Sequence, residues 1–81
     1  MVKPSLTVRA KWDDQAAVWI ATSDDVPGLC CEASSFDRLI AEVLALVPEL
    51  LVSNRVLEPA EAAEVPVTFV AERRMVARLV A

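Results

Sequence analysis

Apolar and polar residues alternate along the first part of the chain and then change to a longer spacing. They alternate from Ser5 to Trp12 and again from Ala17 to Thr22, which is the period of a half-buried β-strand. The run from Asp13 to Ala16 separates the two stretches and predicts the turn of a β-hairpin. A shorter stretch, Leu29 to Ala33, fits a third strand that returns antiparallel to the second.

The link between the second and third predicted strands has the composition of a tight turn. Pro27 presets the backbone angle φ for a turn, and Gly28, the one glycine of the chain, supplies any positive φ that the turn needs. We therefore interpret Pro27 and Gly28 as structural turn residues.

After Ser34 and Ser35 the apolar spacing becomes that of one face of an α-helix. If Ser34 is the N-cap, Asp37 completes a capping box; if Ser35 is the N-cap, Arg38 takes that place and no box forms. The predicted apolar face consists of Phe36, Leu39, Ile40, Val43, Val47 and Leu50.

Two features complicate this helix. Pro48 falls inside the pattern and costs about 3 kcal/mol unless the helix bends there. A second side carries the small residues Ala41 and Ala45 together with Val52, which either forms an interface or reflects the helix propensity of alanine. Asn54 can adopt the left-handed conformation that ends a helix.

The rest of the chain predicts a connector, a last strand and an ambiguous end. Residues 55–64 form the connector, with room for one helical turn at Pro59–Ala63. Alternation resumes from Val65 to Ala71, and Pro66 indicates that this strand starts there or lies at an edge of the sheet. The spacing within residues 74–81 fits a helix and a strand equally well.

Together these elements predict one two-layer α+β domain spanning residues 1–81, ordered β-β-β-α-β, with a mixed or antiparallel sheet packed on one long helix. Val18 and Ile20 are expected to face the helix, and Trp19 to lie on the opposite face of the sheet. The predicted core packs Phe36, Leu39, Ile40, Val43 and Val47 against Leu6, Val8, Val18, Ile20, Val67 and Phe69.

Composition adds an expectation about assembly. The chain has 81 residues, of which 56% are apolar, and its mean hydropathy is +0.44. A domain of this size buries only about 60% of the surface that its unfolded chain exposes, so the apolar excess predicts a homodimer. No apolar run is long enough to span a bilayer and the N-terminus has no signal-peptide core, which predicts a cytoplasmic protein with no membrane contact.

The formal net charge of −4 disfavours direct contact with nucleic acid and suits a basic protein partner. Carboxylates that could meet such a partner lie in the predicted turns and on the third strand. The candidate partner-binding residues are Asp13, Asp14, Trp19, Asp24, Asp25 and Glu32.

The chain has few groups suited to catalysis. It lacks histidine and tyrosine, and the adjacent Cys30 and Cys31 point to opposite faces of a strand, which disfavours a disulfide between them. A reactive thiol or a magnesium site built from the turn carboxylates is the less favoured alternative, because aspartate pairs are common turn formers. We predict no enzyme activity, no metal and no cofactor.

Residues 12–51 resemble the HicB-like antitoxin family, most closely its short members catalogued as a domain of unknown function. The resemblance lies in a Trp-Asp hairpin, the turn Asp25-Val26-Pro27-Gly28-Leu29, a capped helix, the segment Val47-Pro48-Glu49-Leu50-Leu51 and the late Val65-Pro66-Val67 strand. The chain departs from the family at Ala33, where glycine is frequent, and at Arg38, where an acidic residue is frequent. It also ends too early for the C-terminal DNA-binding domain of longer members.

The resemblance implies a partial ribonuclease-H-like fold whose last strand lies beside its first in a mixed sheet. It further implies a dimer that binds and blocks a small basic ribonuclease toxin, without the nuclease chemistry of the fold. The predicted function is therefore that of a non-catalytic antitoxin-type binding protein. The alternatives are a small homodimeric accessory or structural module with no toxin partner and, less favoured, an enzyme.

Overall fold

The computed structural model describes residues 5–54 and 64–80. These form the strands β1 (Leu6–Asp13), β2 (Val18–Thr22) and β3 (Cys30–Ala33), the helix α1 (Phe36–Ser53) and the strand β4 (Val67–Glu72). The sequence-based prediction of an α+β domain ordered β-β-β-α-β is confirmed. The predicted helical turn at Pro59–Ala63 lies outside the described residues.

The four strands make one mixed sheet in the order β3-β2-β1-β4. β2 pairs antiparallel with β1 and with β3, whereas β4 lies parallel to β1. This is the placement of the last strand beside the first that the family resemblance implies. Just before β4, the carbonyl oxygen of Pro66 accepts a hydrogen bond of 2.9 Å from the Leu6 N–H. Proline is tolerated here because β4 is the terminal strand of the sheet as described.

Helix α1 covers one face of the sheet, and its buried side ends at Leu51, one residue beyond the predicted face, whose last member Leu50 is half-buried. Leu39, Val43 and Val47 are buried as predicted, whereas Phe36 and Ile40 are only half-buried. The complete set of buried apolar residues in the described ranges is Leu6, Val8, Ala10, Ala21, Val26, Leu29, Ala33, Leu39, Val43, Val47 and Leu51.

The predicted facing of β2 is wrong. In the β1–β2 register Ala10 pairs with Ala21 and Trp12 with Trp19. Since directly paired residues share a face of the sheet, Trp19 lies on the helix side. Val18 and Ile20 therefore lie half-buried on the opposite face and not in the core. Both alternate sets of β2 side chains are apolar, so the alternation showed a strand but could not show which set faces the helix.

The turn before β3 is held beneath the C-terminal half of the helix. Leu29 N donates to Val26 O at 3.1 Å, which closes a β-turn with Pro27 and Gly28 at its centre. Gly28 has a φ of +83°, a value that favours glycine. Val26 and Leu29 on either side are 0% and 5% exposed, so this turn contributes to the core, a role that its turn-like composition did not indicate.

Side chains close both ends of the helix. Ser35 is the N-cap: its Oγ accepts a hydrogen bond of 3.2 Å from Arg38 N, so the capping box of the Ser34 alternative does not form. At the other end, Asn54 has a φ of −96°, and the predicted left-handed conformation is therefore wrong. Its side-chain nitrogen donates instead to the carbonyl oxygens of Leu50 at 3.0 Å and Pro27 at 3.1 Å. No helix in the described ranges is long and apolar enough to cross a bilayer.

Candidate functional site

The predicted partner-binding carboxylates do not form one patch. Asp13 and Asp14 lie at the β1–β2 hairpin, whereas Asp24 and Asp25 lie in the β2–β3 loop at the other end of the sheet. Glu32 lies on β3, opposite Ile20 on the face away from the helix.

The hairpin aspartates make local hydrogen bonds that shape the turn. Asp13 Oδ1 accepts from Gln15 N at 3.0 Å and from Ala16 N at 3.2 Å. The indole N–H of Trp12 donates to Asp14 Oδ1 at 2.6 Å. These bonds favour the turn-forming interpretation of this aspartate pair.

Asp25 connects its loop to the first strand. Its Oδ2 accepts a hydrogen bond of 2.8 Å from Thr7 N, and its own N–H donates to Ser23 Oγ at 3.0 Å. The Ser23 hydroxyl in turn donates to Thr7 O at 2.5 Å. Asp25 therefore has a structural role, and any contact with a partner would compete with that role.

Asp24 and Glu32 differ from the other predicted carboxylates. Both are exposed, and within the described residues neither makes a hydrogen bond or an ion pair. Glu32 lies on β3, which ends the sheet on its other side, whereas Asp24 lies in the β2–β3 loop between Ser23 and Asp25, which both bond to Thr7 of β1. We call these two exposed carboxylates, Asp24 and Glu32, the acidic edge.

All four aromatic residues of the chain lie in one row on the helix side of the sheet, a cluster that was not predicted from the sequence. Ring centroids are 5.6 Å apart for Trp12 and Trp19, 5.1 Å for Trp19 and Phe36, and 6.4 Å for Phe36 and Phe69. The guanidinium carbon of Arg73 lies 4.1 Å from the centre of the Trp12 ring, within cation–π range. Trp19, predicted to meet a partner, is therefore half-buried inside this row.

Residues 73–80, which we call the arm, follow β4 as neither helix nor strand. The arm begins at Arg73 beside Trp12 and is exposed throughout. Four of its apolar side chains are strongly exposed, namely Met75 at 76%, Val76 at 92%, Leu79 at 98% and Val80 at 83%. Their spacing fits both a helix and a strand, which is why no definite structure was predicted for this segment.

The small-residue side of the helix also faces solvent in the single chain. Ala41 and Ala45 are exposed and Val52 is half-buried, and the neighbouring Leu44 is 48% exposed. This side is available for contact, in keeping with the interface alternative, but it carries no polar group that would select a ligand.

The two cysteines are free and differ in environment. Cys30 is exposed, whereas the half-buried Cys31 donates from Sγ to Glu42 Oε2 at 3.6 Å. Burial, followed by this hydrogen bond and nearby negative charge, raises the pKa of the Cys31 thiol. A raised pKa opposes formation of the reactive thiolate. In the described residues no group of three or more histidine, cysteine, aspartate or glutamate side chains could hold a metal ion.

The chain belongs to the family described as a domain of unknown function, DUF1902, whose profile matches residues 5–81. It is similar to a solved structure, the hypothetical protein TTHA1013 from the extremely thermophilic bacterium Thermus thermophilus. The two sequences are 43% identical, the match covers 93% of this chain and 99% of that one, and the TM-score is 0.67. The search of curated proteins found no match.

Proposed function

We propose that this protein is a HicB-like antitoxin-type binding protein. It acts in the cytoplasm as a homodimer and neutralises a small basic ribonuclease toxin by direct contact, without catalysis of its own. The acidic edge is the part of the surface that we assign to the basic partner.

The observation that supports this proposal is that both carboxylates of the acidic edge are exposed and unpaired within the described residues. Asp24, in the β2–β3 loop, and Glu32, on the terminal strand β3, are solvated carboxylates with no hydrogen bond or ion pair inside the described residues. A terminal strand offers backbone groups to a partner strand, and exposed carboxylates attract arginine and lysine side chains. The resemblance of residues 12–51 to the HicB-like family supports the same kind of partner.

The direct test is co-expression with the product of the adjacent reading frame. We expect that product to be a short basic protein that arrests growth when expressed alone. Co-expression should restore growth, and the two proteins should co-purify. A neighbouring product that is not toxic and does not co-purify would contradict the proposal, as would retardation of duplex DNA by this protein alone at about 0.15 M salt.

A matched pair of variants locates the contact. Asp24→Asn with Glu32→Gln removes two charges at the acidic edge, whereas Glu49→Gln with Glu64→Gln removes two exposed charges elsewhere. Because charges at the rim of an interface mainly accelerate association, the first variant should bind about tenfold more slowly and with a weaker salt dependence. The second should bind at nearly the native rate, and equal effects of the two variants would remove the acidic edge from the proposal.

The alternative function is a homodimeric accessory or structural module with no toxin partner. The observation that favours it is the arm, whose exposed apolar side chains fit assembly whether or not a toxin exists. A dimer that forms normally in a cell whose neighbouring gene product is harmless would select this alternative.

A further inference from the structure

β4 and the arm together form an unpaired border of the molecule. β4 is the terminal strand in the order β3-β2-β1-β4, so one of its edges has no strand beside it among the described residues. The arm continues directly from Glu72, the last residue of β4. A terminal strand with a long continuation provides backbone donors and acceptors that another strand can pair with.

Apolar side chains on this border are far more exposed than the apolar side chains of the sheet and helix core. Val70 on β4 is 51% exposed, and Val76 and Leu79 of the arm are 92% and 98% exposed. The radius of gyration is 15.2 Å, whereas a compact chain of this length has about 12 Å. Contiguous exposed apolar side chains mark an interaction site.

The arm and the remainder of the chain have opposite charges. The arm contains three arginines and no acidic residue, so the chain's net charge of −4 leaves −7 on the remainder. A basic partner would meet the three arginines of the arm at this border and be repelled. A second copy paired antiparallel can instead set Glu72, at the end of β4, against Arg78 of the arm. This self-complementarity favours a second copy of the chain over a basic protein as the occupant of this border.

We propose that residues 70–80 pair antiparallel with the same residues of a second copy, around a twofold axis at Met75. This pairing joins the two four-stranded sheets edge to edge. It deepens the homodimer part of the proposed function, because it names the segment and the register, and it does not depend on the existence of a toxin.

The charges of the segment select this register. In a continuous sheet with twofold symmetry, directly opposed residues must lie on the same face, which allows the axis to pass only through a residue. With the axis at Met75, Glu72 of each copy lies opposite Arg78 of the other. An axis at residue 73, 74 or 78 would oppose an arginine to itself, and an axis at residue 76 would oppose Arg74 to Arg78. An axis at residue 77 would set Arg74 and Arg78 against valines, so among axes within residues 73–78 only the one at Met75 opposes unlike charges without also opposing arginine to arginine.

The same register matches the apolar side chains. It places Val70 opposite Val80 on the face away from the helix, and Ala71 opposite Leu79 on the helix side. Arg73 lies opposite the small residue Ala77, which leaves its guanidinium free to stay over the Trp12 ring, 4.1 Å from the centroid. Aliphatic and opposite-charge pairs across strands both stabilise sheets.

Cysteine cross-linking tests the register in the full-length chain. In a Cys30→Ser, Cys31→Ala background, Met75→Cys places two thiols across the axis, with Cα atoms about 4.5–5.5 Å apart, within disulfide range. The control Ala77→Cys lies on the same face, but its two thiols are about 14 Å apart along the strands. We expect Met75→Cys to form the disulfide dimer at least about tenfold faster under mild oxidation. Equal rates for the two variants would overturn the register.

A charge exchange gives a second test that does not use cysteine. Arg78→Glu alone creates two like-charge pairs per dimer and should raise the dimer dissociation constant about tenfold. Glu72→Arg creates the same two pairs between the copies and also replaces the 3.7 Å ion pair of Glu72 with Lys11 in each copy by a like-charge pair, so it should weaken the dimer at least as much. The combined variant restores opposite charges and should recover most of the affinity. Failure of the combined variant to recover would overturn the pairing of Glu72 with Arg78.

The outcomes also separate this inference from the proposed function. A native chain that is monomeric at micromolar concentration overturns the pairing, whatever the result of the toxin experiment. A dimer cross-linked through position 75 supports the pairing even when no toxin is found. If position 75 cross-links to a co-purified basic protein and not to a second copy, the border binds that protein and the inference is wrong.

Discussion

The body of the domain, by which we mean its sheet and its helix, and the arm contain the same kinds of residue in opposite environments. Leu39 of the helix is 0% exposed whereas Leu79 of the arm is 98% exposed, and Val43 and Val76 differ in the same way at 0% and 92%. Burial of an aliphatic side chain stabilises a protein by about 1.5–3 kcal/mol. The body obtains this stabilisation within one chain, whereas the arm can obtain it only from another molecule.

The largest expected effect is the difference in stability between the variants Leu39→Ala and Leu79→Ala. Leu39→Ala should lower the free energy of unfolding by about 2–5 kcal/mol, because it opens a cavity beneath the helix. Leu79→Ala should change the stability of the monomer by less than about 0.5 kcal/mol, because its side chain contacts little within the chain. Urea unfolding at a concentration below dimer formation measures both. A loss of similar size for the two variants would show that the arm packs within its own chain.

The neighbouring aspartates of the β2–β3 loop allow a finer comparison. Asp25→Ala leaves the Thr7 N–H without its 2.8 Å acceptor and should cost about 1–3 kcal/mol. Asp24→Ala removes a solvated carboxylate and should stay within about 0.5 kcal/mol. Thermal unfolding of the two single variants is sufficient, and equal losses would contradict the structural role of Asp25.

A smaller effect is expected at the hairpin, where Ala17 has a φ of 55°. This left-handed conformation costs a non-glycine residue about 1–2 kcal/mol, while glycine adopts it without strain. Glycine also loses more backbone entropy on folding than alanine, which offsets part of this gain. Ala17→Gly should therefore stabilise the domain by a net amount of about 0.5 kcal/mol. Ala16→Gly is the matched control and should not stabilise, because glycine raises the entropy of the unfolded chain; a gain from both variants would show that relief of the left-handed conformation at Ala17 is not the cause.

The smallest expected effect concerns the thiols of the body. The pKa of Cys31 is raised, chiefly by burial and then by its hydrogen bond to Glu42, so Cys31 should react with iodoacetamide more slowly than the exposed Cys30. Glu42→Gln removes a negative charge and should accelerate the labelling of Cys31 while leaving Cys30 unchanged. Mass spectrometry of the labelled peptides reads both rates, and no acceleration would contradict the role of Glu42.

The raised pKa also predicts how stability depends on pH. Below the ordinary thiol pKa of about 8.5, both the folded and the unfolded state hold the proton. In that range Cys31 makes its full contribution to the free energy of unfolding. Above it the unfolded state releases the proton first, so stability falls as the pH rises through the folded pKa. Replacing Cys31 with alanine should therefore reduce the loss of stability at alkaline pH. Urea unfolding at two alkaline pH values, for the native chain and the variant, tests this.

Much of the fold could be predicted from the sequence because period and turn chemistry are local signals. The five elements follow from the alternation, the Pro27-Gly28 turn and the spacing of the helix. The face of β2 could not be predicted, since Trp19 and Ile20 are both apolar and the choice depends on pairing with β1. The distinction between Asp24 and Asp25 was equally hidden, because it depends on a bond to Thr7, eighteen positions away.

The candidate sites were less predictable than the fold. The aromatic row joins Trp12, Phe36 and Phe69, which are remote in sequence and meet only once the sheet and the helix have packed. The arm has a spacing that fits two structures, and in the single chain it adopts neither. Where a stretch lacks partners within its own chain, local spacing does not determine its conformation.

The central claim is that the arm is one half of an interface. Light scattering of the native chain and of Arg78→Glu, at one micromolar concentration and about 0.15 M salt, tests it most directly. The native chain should have twice the mass of the 8.8 kDa monomer, and the variant should shift toward the monomer while keeping the native circular dichroism spectrum. A native chain that scatters as a single copy of 8.8 kDa would contradict the claim.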